Sequence, residues 1–301
     1  MEKIKSLPRA YLYAIVSIML WSTVAVGFKI ALHYMDYIKL LFIASLISFI
    51  ILVSVLAWRK NIRTLFTYNP RQYLNSAMLG FLNPFGYYMI LLKAYSILPA
   101  QLAQPLNYTW PIMLVLLSAP LLKQKLKAKS LLAIFISFLG VYLIASGNHI
   151  FDFKIEQPLG IFLATGSSVI WALFWILNVR DSRPEIIKLT LSFGFSIIYT
   201  FLAMIFMSDF SIPEIKGLLA ATYIGFFEMG FTFILWLKAL QMIDRSDKIS
   251  NLVFISPFFS LIWIHLILKE NIYESTVIGL VFIVLGIVIQ QYKIKNPEKN
   301  G

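Results

Sequence analysis

The chain has 301 residues, 59% of them hydrophobic and 13% charged, with a formal net charge of +12 and no Cys. A polar shell around one water-soluble core cannot hide that much apolar surface, so the composition is that of an integral membrane protein. Without Cys there is neither a disulfide framework nor a thiolate metal site, and His33, His149 and His265 stand singly, which argues against a metalloenzyme.

Residues 1–9, MEKIKSLPR, form a short basic tail. The apolar stretch after them is long enough to span and is not followed by a small-residue cleavage pattern, so no cleavable leader is expected. About 20 apolar residues cross a bilayer as a helix, and such stretches recur at 10–32, 37–58, 73–95, 100–121, 130–147, 158–178, 187–207, 216–240, 247–268 and 274–292. The first holds Trp21 near its middle, with Ser22 and Lys29 two turns apart. The third holds "GFLNPFGYY", with Asn83, Pro84 and Tyr87, and ends near Lys93. In the fourth, Gln101, Gln104 and Tyr108 share a helical face, with Asn107 and Trp110 adjacent. In the sixth, Ser168, Trp171, Trp175 and Asn178 follow i, i+3, i+7, i+10 and make one polar-aromatic stripe. The eighth, "GFFEMGFTFILWLKAL", carries Glu228 and Thr232 and closes near Lys238. Lys and Arg concentrate in the amino-terminal tail, in alternate loops and in the carboxyl-terminal tail. That bias predicts a multi-pass protein of the cytoplasmic (inner) membrane with both termini in the cytoplasm, and it gives no single basic face for nucleic acid.

Sliding residues 80–145 onto 225–291 aligns Gly80-Phe81 with Gly225-Phe226, Lys93-Ala94 with Lys238-Ala239, Pro111 with Pro257, Leu122-Lys123 with Leu268-Lys269 and Gly140 with Gly286, after one single-residue shift. The expected fold is therefore all-α, ten transmembrane helices as two five-helix repeats over residues 1–150 and 151–301. Five is odd, so the second repeat lies upside down relative to the first, the arrangement by which secondary transporters build two openings around one midplane site.

Of the acidic residues, only Glu228 lies deep within a stretch. A carboxylate facing acyl chains costs several kcal/mol, so it is expected to face the bundle interior or a wet cavity. There it is either a proton-coupling residue and counter-ion for a substrate ammonium group, or a polar bond between helices, for instance to Lys29 or Asn83. Asn83 is its repeat mate and is expected to approach the same cavity from the other half. Trp21 and Trp171 lie mid-span, where an aromatic anchor has no headgroup to meet. Lys93 and Lys238 sit where long side chains snorkel to the surface.

The stretch "LLKAYSILPAQLAQPLNYTWPIMLVLLSAPLLKQKLKAKSLLAIFISFLGVYLI" and its copy "LWLKALQMIDRSDKISNLVFISPFFSLIWIHLILKENIYESTVIGLVFIVLGIVI" resemble the ten-helix, EamA-like branch of the drug/metabolite transporter superfamily over nearly the whole chain. At the family's acidic position the first copy has Gln124 and the second Glu270. "NYTWP", Asn107 to Pro111, is similar to the "NYLWP" run of bacterial aromatic-amino-acid exporters. The first helices are also similar to those of the four-helix small multidrug exporters, with Trp21 and Trp171 where those carry their membrane-embedded Glu.

The resemblance implies a secondary transporter, not an enzyme, that exports amino acids or related small metabolites by alternating access. Its expected partners are a small-molecule substrate, the lipid bilayer and protons, with no nucleic acid, and no cofactor is expected. The substrate-binding set is Glu228, Asn83, Trp21, Trp171, Trp175, Tyr87, Gln104, Asn107, Tyr108, Ser168 and Thr232, with Glu228 also the proton-coupling residue. One alternative is a phosphorylated-sugar or nucleotide-sugar antiporter, which wants paired basic residues at the midplane. The other is a membrane-embedded enzyme, for which no HExxH, GxSxG or paired intramembrane carboxylate occurs.

Overall fold

The structure, a computed structural model, describes residues 7–123, 128–147, 156–242 and 251–291. Gln124, the start of the stretch expected at 247–268 and most of both tails lie outside the described residues. Every regular element among the described residues is helical. In chain order these are α1 (Leu7–Ser22), α2 (Val24–Tyr34), α3 (Tyr37–Trp58), a 3-10 turn (Ile62–Phe66), α4 (Pro70–Gly80), a π segment (Phe81–Gly86), α5 (Tyr87–Ile97), α6 (Ala100–Asn107), α7 (Trp110–Leu122) and α8 (Ala128–Ser146). They continue as α9 (Pro158–Asn178), α10 (Glu185–Met207), α11 (Ile215–Tyr223), a π segment (Ile224–Glu228), α12 (Phe231–Gln241), a 3-10 turn (Asn251–Ile255), α13 (Ser256–Trp263), a π segment (Ile264–Leu268) and α14 (Glu274–Gln291).

Among the described residues, seven helices are long and apolar enough to cross a membrane: Pro8–Tyr34, Tyr37–Trp58, Ala100–Leu122, Ala128–Ser146, Pro158–Asn178, Glu185–Met207 and Ile215–Trp236. Leu252–Leu268 and Glu274–Gln290 are shorter apolar helices. The stretch expected at 73–95 is helical from Pro70 to Ile97 but divided. Its first turns are polar, and Asn83 leaves the helical region at φ −150, ψ 123 just before Pro84, which has no N–H to give to the ladder. The chain is a multi-pass membrane protein, and its burial pattern fits one. Phe162, Phe206 and Leu219 stand 73%, 82% and 63% exposed on the outside, whereas Ser48, Ser167, Thr200 and Ser260 are fully buried between helices.

Local chemistry sets the helix ends. Asp36 accepts from the N–H groups of Ile38 and Lys39 at 2.9 and 3.0 Å to start α3, and Asn69 with Gln72 forms a capping box ahead of Pro70 at the start of α4. Packing then joins first-half helices to second-half ones: α3 with α10, α5 with α9, α1 with α12, α2 with α11, and, most extensively, α8 with α14. The last pair meets backbone to backbone. A Cβ at Gly279 would lie 2.6 Å from the Gly140 carbonyl oxygen, and one at Gly286 would lie 2.6 Å from that of Ala133, so only glycine admits the approach.

The loop between α9 and α10 is pinned by buried charge. Arg183 pairs with Asp181 at 2.5 Å and donates to Ser76 Oγ at 2.8 Å, while Asn75 donates to Asp181 at 2.9 Å. Burial alone pushes the Asp181 carboxyl up. The hydrogen bonds and charge of Arg183, with Lys188 behind them, outweigh it and hold the group below the ordinary carboxylate range.

Candidate functional site

Glu228 closes the π segment that begins at Ile224, and a two-residue turn through Met229 and Gly230 separates it from α12. The extra residue in that turn re-aims the side chains on either side of it. The other half carries a π segment, Phe81–Gly86, that overlaps it at the repeat offset, and Asn83 stands within that bend at the position matching Glu228. Tyr88 Oη donates to Glu228 Oε1 at 2.9 Å, and Trp21 Nε1 donates to the Glu228 carbonyl at 3.4 Å. The carboxylate thus bonds to α5, while its backbone holds the end of α1.

Glu228 lines a cavity of about 550 Å³. Trp21 and Phe28 reach it from α1 and α2, Tyr87, Leu91 and Tyr95 from α5, Gln104 and Asn107 from α6, Trp171 and Trp175 from α9, and Phe233 and Trp236 from α12. Aromatic rings form a continuous band across it. Trp236 meets Trp21 at 5.3 Å between centroids, Trp21 meets Phe233 at 5.8 Å, Phe233 meets Trp171 at 6.4 Å, and Trp171 meets Tyr87 at 4.6 Å and Trp175 at 5.9 Å. A polar chain runs behind the band: Tyr87 donates to Asn107 Oδ1 at 3.0 Å, and Asn107 Nδ2 donates to Ser167 Oγ at 2.9 Å. Gln104 Oε1 accepts from Ser260, which ties α6 to α13.

The two ends of the cavity differ. At one end it is lined by Leu122, where α7 finishes, and by Val179 and the exposed Arg180 just past α9. At the other end, beyond Phe28 and Tyr95, the chain is clasped shut. Glu270 accepts from the N–H groups of Ala100 and Gln101 at 2.9 and 3.1 Å, capping α6 from the far half. Gln101 reciprocates, donating to the Asn271 carbonyl at 2.7 Å and accepting from the Tyr273 N–H at 2.8 Å. Lys29 donates to the carbonyls of Tyr95 and Leu98 at 3.0 and 3.1 Å, where the orphan acceptors ending α5 attract a cation. A separate polar recess of about 520 Å³, lined by Lys29, Gln101, Gln157, Glu270 and Tyr273, lies outside this wall.

Of the residues singled out in the sequence, Glu228, Trp21, Trp171, Trp175, Tyr87, Gln104, Asn107 and Tyr108 line this one cavity. Asn83, Ser168 and Thr232 are buried but do not line it. The Oδ1 of Asn83 and the hydroxyl of Thr232 have no hydrogen-bond partner among the described residues, and Ser168 lies 3.0 Å from the Thr109 hydroxyl. Lys93 and Lys238 lie over the rings of Tyr37 and Tyr13, at 5.2 and 6.0 Å, away from the cavity. Sequence reasoning missed Tyr88, Tyr95, Phe28, Phe233, Trp236 and Arg180. A stripe at Tyr87, Leu91 and Tyr95, spaced i, i+4, i+8, was the available signal for Tyr95.

A family model described as the EamA-like transporter family matches residues 8–146 and again 158–290. An uncharacterised transporter of Clostridium kluyveri is 26% identical over 93% of this chain and 92% of its own length. One of Archaeoglobus fulgidus is 22% identical over 95% and 98%, and YvbV, an uncharacterised transporter of Bacillus subtilis, is 27% identical over 74% and 72%. A crystal structure superposes with a TM-score of 0.68 at 21% identity, over 97% of this chain and 99% of that one, a likeness of fold.

Proposed function

Because the chain belongs to the EamA-like transporter family, we propose that it is a secondary active transporter of the cytoplasmic membrane that exports amino acids or related amine-bearing metabolites by alternating access. One observation carries this reading: the Glu228 carboxylate lines a cavity that both halves of the chain build, entered at the Arg180 end and clasped at the Glu270 end. Two inverted five-helix repeats are the framework we assign to it. The matched bends at Asn83 and Glu228, and helix pairings that recur with the halves exchanged, support that framework. With both termini in the cytoplasm, the Arg180 end faces the cytoplasm and the clasped end faces out.

In this reading Glu228 holds the substrate's ammonium group, and a proton taken up by the carboxylate releases it and resets the carrier. The phosphorylated-substrate alternative is the weaker one, since among the described residues Arg180 at the mouth is the single basic residue lining the cavity. The test is uptake into proteoliposomes across a range of pH. Glu228→Gln removes the pH-dependent component while leaving membrane abundance unchanged. Normal pH-dependent uptake by that variant overturns the proposal.

A further inference from the structure

The walls around Glu228 narrow the chemistry of what can rest there. Among the described residues the cavity offers one carboxylate, a band of aromatic faces, a few neutral hydrogen-bonding groups and, at its mouth, Arg180. A zwitterionic amino acid brings two charges, and its carboxylate needs a cation or free backbone N–H groups once it leaves water. Of the cations nearby among the described residues, Lys29 lies behind the Tyr95 wall with its ammonium bonded to two carbonyls, and Arg180 stands exposed at the mouth. The first N–H groups of α6 are held by Glu270. Beside Glu228, by contrast, Trp21 is fixed by its own indole N–H, and Phe233, Trp171 and Tyr87 continue its wall. Aromatic faces attract an ammonium group and cover an apolar body equally well.

Resting on the transport reading above, and narrowing its substrate class from amino acids to their amine relatives, we infer that the preferred ligand is a monovalent amine with an apolar or aromatic body and no carboxylate, its ammonium group on Glu228 and its body against the Trp21, Trp171 and Phe233 rings. One carboxylate balances one positive charge, so a second ammonium group on the ligand would be buried unpaired. A volume of about 550 Å³ suits a small molecule of that kind.

Phenethylamine, phenylalanine and 3-phenylpropionate share one phenylethyl body and differ in the charged groups it carries, and phenethyl alcohol carries none. Titration calorimetry on the purified full chain is expected to rank phenethylamine about tenfold or more tighter than phenylalanine, with 3-phenylpropionate weakest. Glu228→Gln is expected to weaken phenethylamine by about tenfold or more and to leave phenethyl alcohol nearly unchanged. Trp171→Leu is expected to weaken the amine more than the alcohol. Phenylalanine binding as tightly as the amine overturns the inference, as does an amine affinity indifferent to Glu228, or no binding by any of the four. The wild-type ranking decides even if a variant fails to fold. Phenylalanine binding tighter than the amine but lost in Glu228→Gln overturns the ligand class alone. Transport indifferent to Glu228 overturns the reading beneath it.

Discussion

Tyr88 and Glu228, 140 residues apart in sequence, are joined by a 2.9 Å hydrogen bond that fastens the bend before α12 to α5. A bond to a charged acceptor contributes about 1.5–3 kcal/mol, and this one also sets where the carboxylate sits in the cavity. Tyr88→Phe is expected to lower transport at limiting substrate by about tenfold with normal membrane abundance. Combined with Glu228→Gln it should add little to the loss, because both changes remove one interaction. Fully additive losses in the double variant would mean that the two residues act apart.

The clasp at the other end makes a separate expectation. Glu270→Ala leaves the first N–H groups of α6 without their cap, at a cost of about 1–2 kcal/mol, and should loosen the end that Gln101 and Tyr273 help close. Since the chain has no Cys, Tyr95→Cys provides a unique label site within the cavity. In proteoliposomes of known orientation a membrane-impermeant maleimide is expected to reach it from the Arg180 side alone, and from both sides once Glu270→Ala is added. Equal labelling from both sides without that change removes the clasp from the account.

Asp181 neutralises Arg183 within a buried network. Asp181→Asn strands the guanidinium and is expected to destabilise the protein by about 3 kcal/mol, read as a fall in the unfolding midpoint. The sign with pH follows from the depressed carboxyl. The stabilisation is complete above the ordinary carboxylate range, about pH 4, and is lost as pH falls through the lower folded-state value. Below about pH 4 the wild-type midpoint should therefore drop more steeply than that of Asp181→Asn, and parallel curves would contradict the assignment.

Two glycines make opposite forecasts. At Gly279 an added side chain meets the Gly140 carbonyl oxygen at 2.6 Å, so Gly279→Val is expected to cost 1–3 kcal/mol, roughly the range for overpacking. At Gly166, within α9, an added Cβ meets nothing within 4 Å, so Gly166→Ala is expected to stabilise by about 0.5–1 kcal/mol through helix propensity. Thermal unfolding in detergent distinguishes them, and a reversal of the two signs would refute the packing described for α8 and α14.

Much of the site was legible because membrane helices make polar residues conspicuous. Glu228 stood out as a charge among apolar neighbours, and Trp21 and Trp171 as indoles too deep to anchor at a headgroup. Partners were harder to read. Tyr88 lies beside Tyr87 in an apolar run, and nothing in a one-dimensional pattern says which of two adjacent rings reaches across to another helix. Asn83 shares Glu228's register but not its exposure, since a repeat fixes backbone position and leaves the side chain's direction to the local bend. Its place two turns below Ser22 makes Lys29 a candidate partner for Glu228, and in the structure it serves the carbonyl end of α5 instead. Glu270 was a family landmark in the sequence. Its work as the cap of a helix from the other half depends on a long-range approach that spacing cannot reveal.

The glycine seam between α8 and α14 stands apart from the cavity, since neither helix lines it. Where glycines bring the backbones together, with Ser137, Ile144 and Ile283 filling the rest of the seam, there is little room for sliding or rotamer exchange, so the two helices are expected to move as one stiff spar. In the alternating cycle proposed above, that spar is expected to serve as the fixed axle. Spin labels across the two helices should keep one distance throughout turnover, while labels on α6 and α9 trade short separations for long.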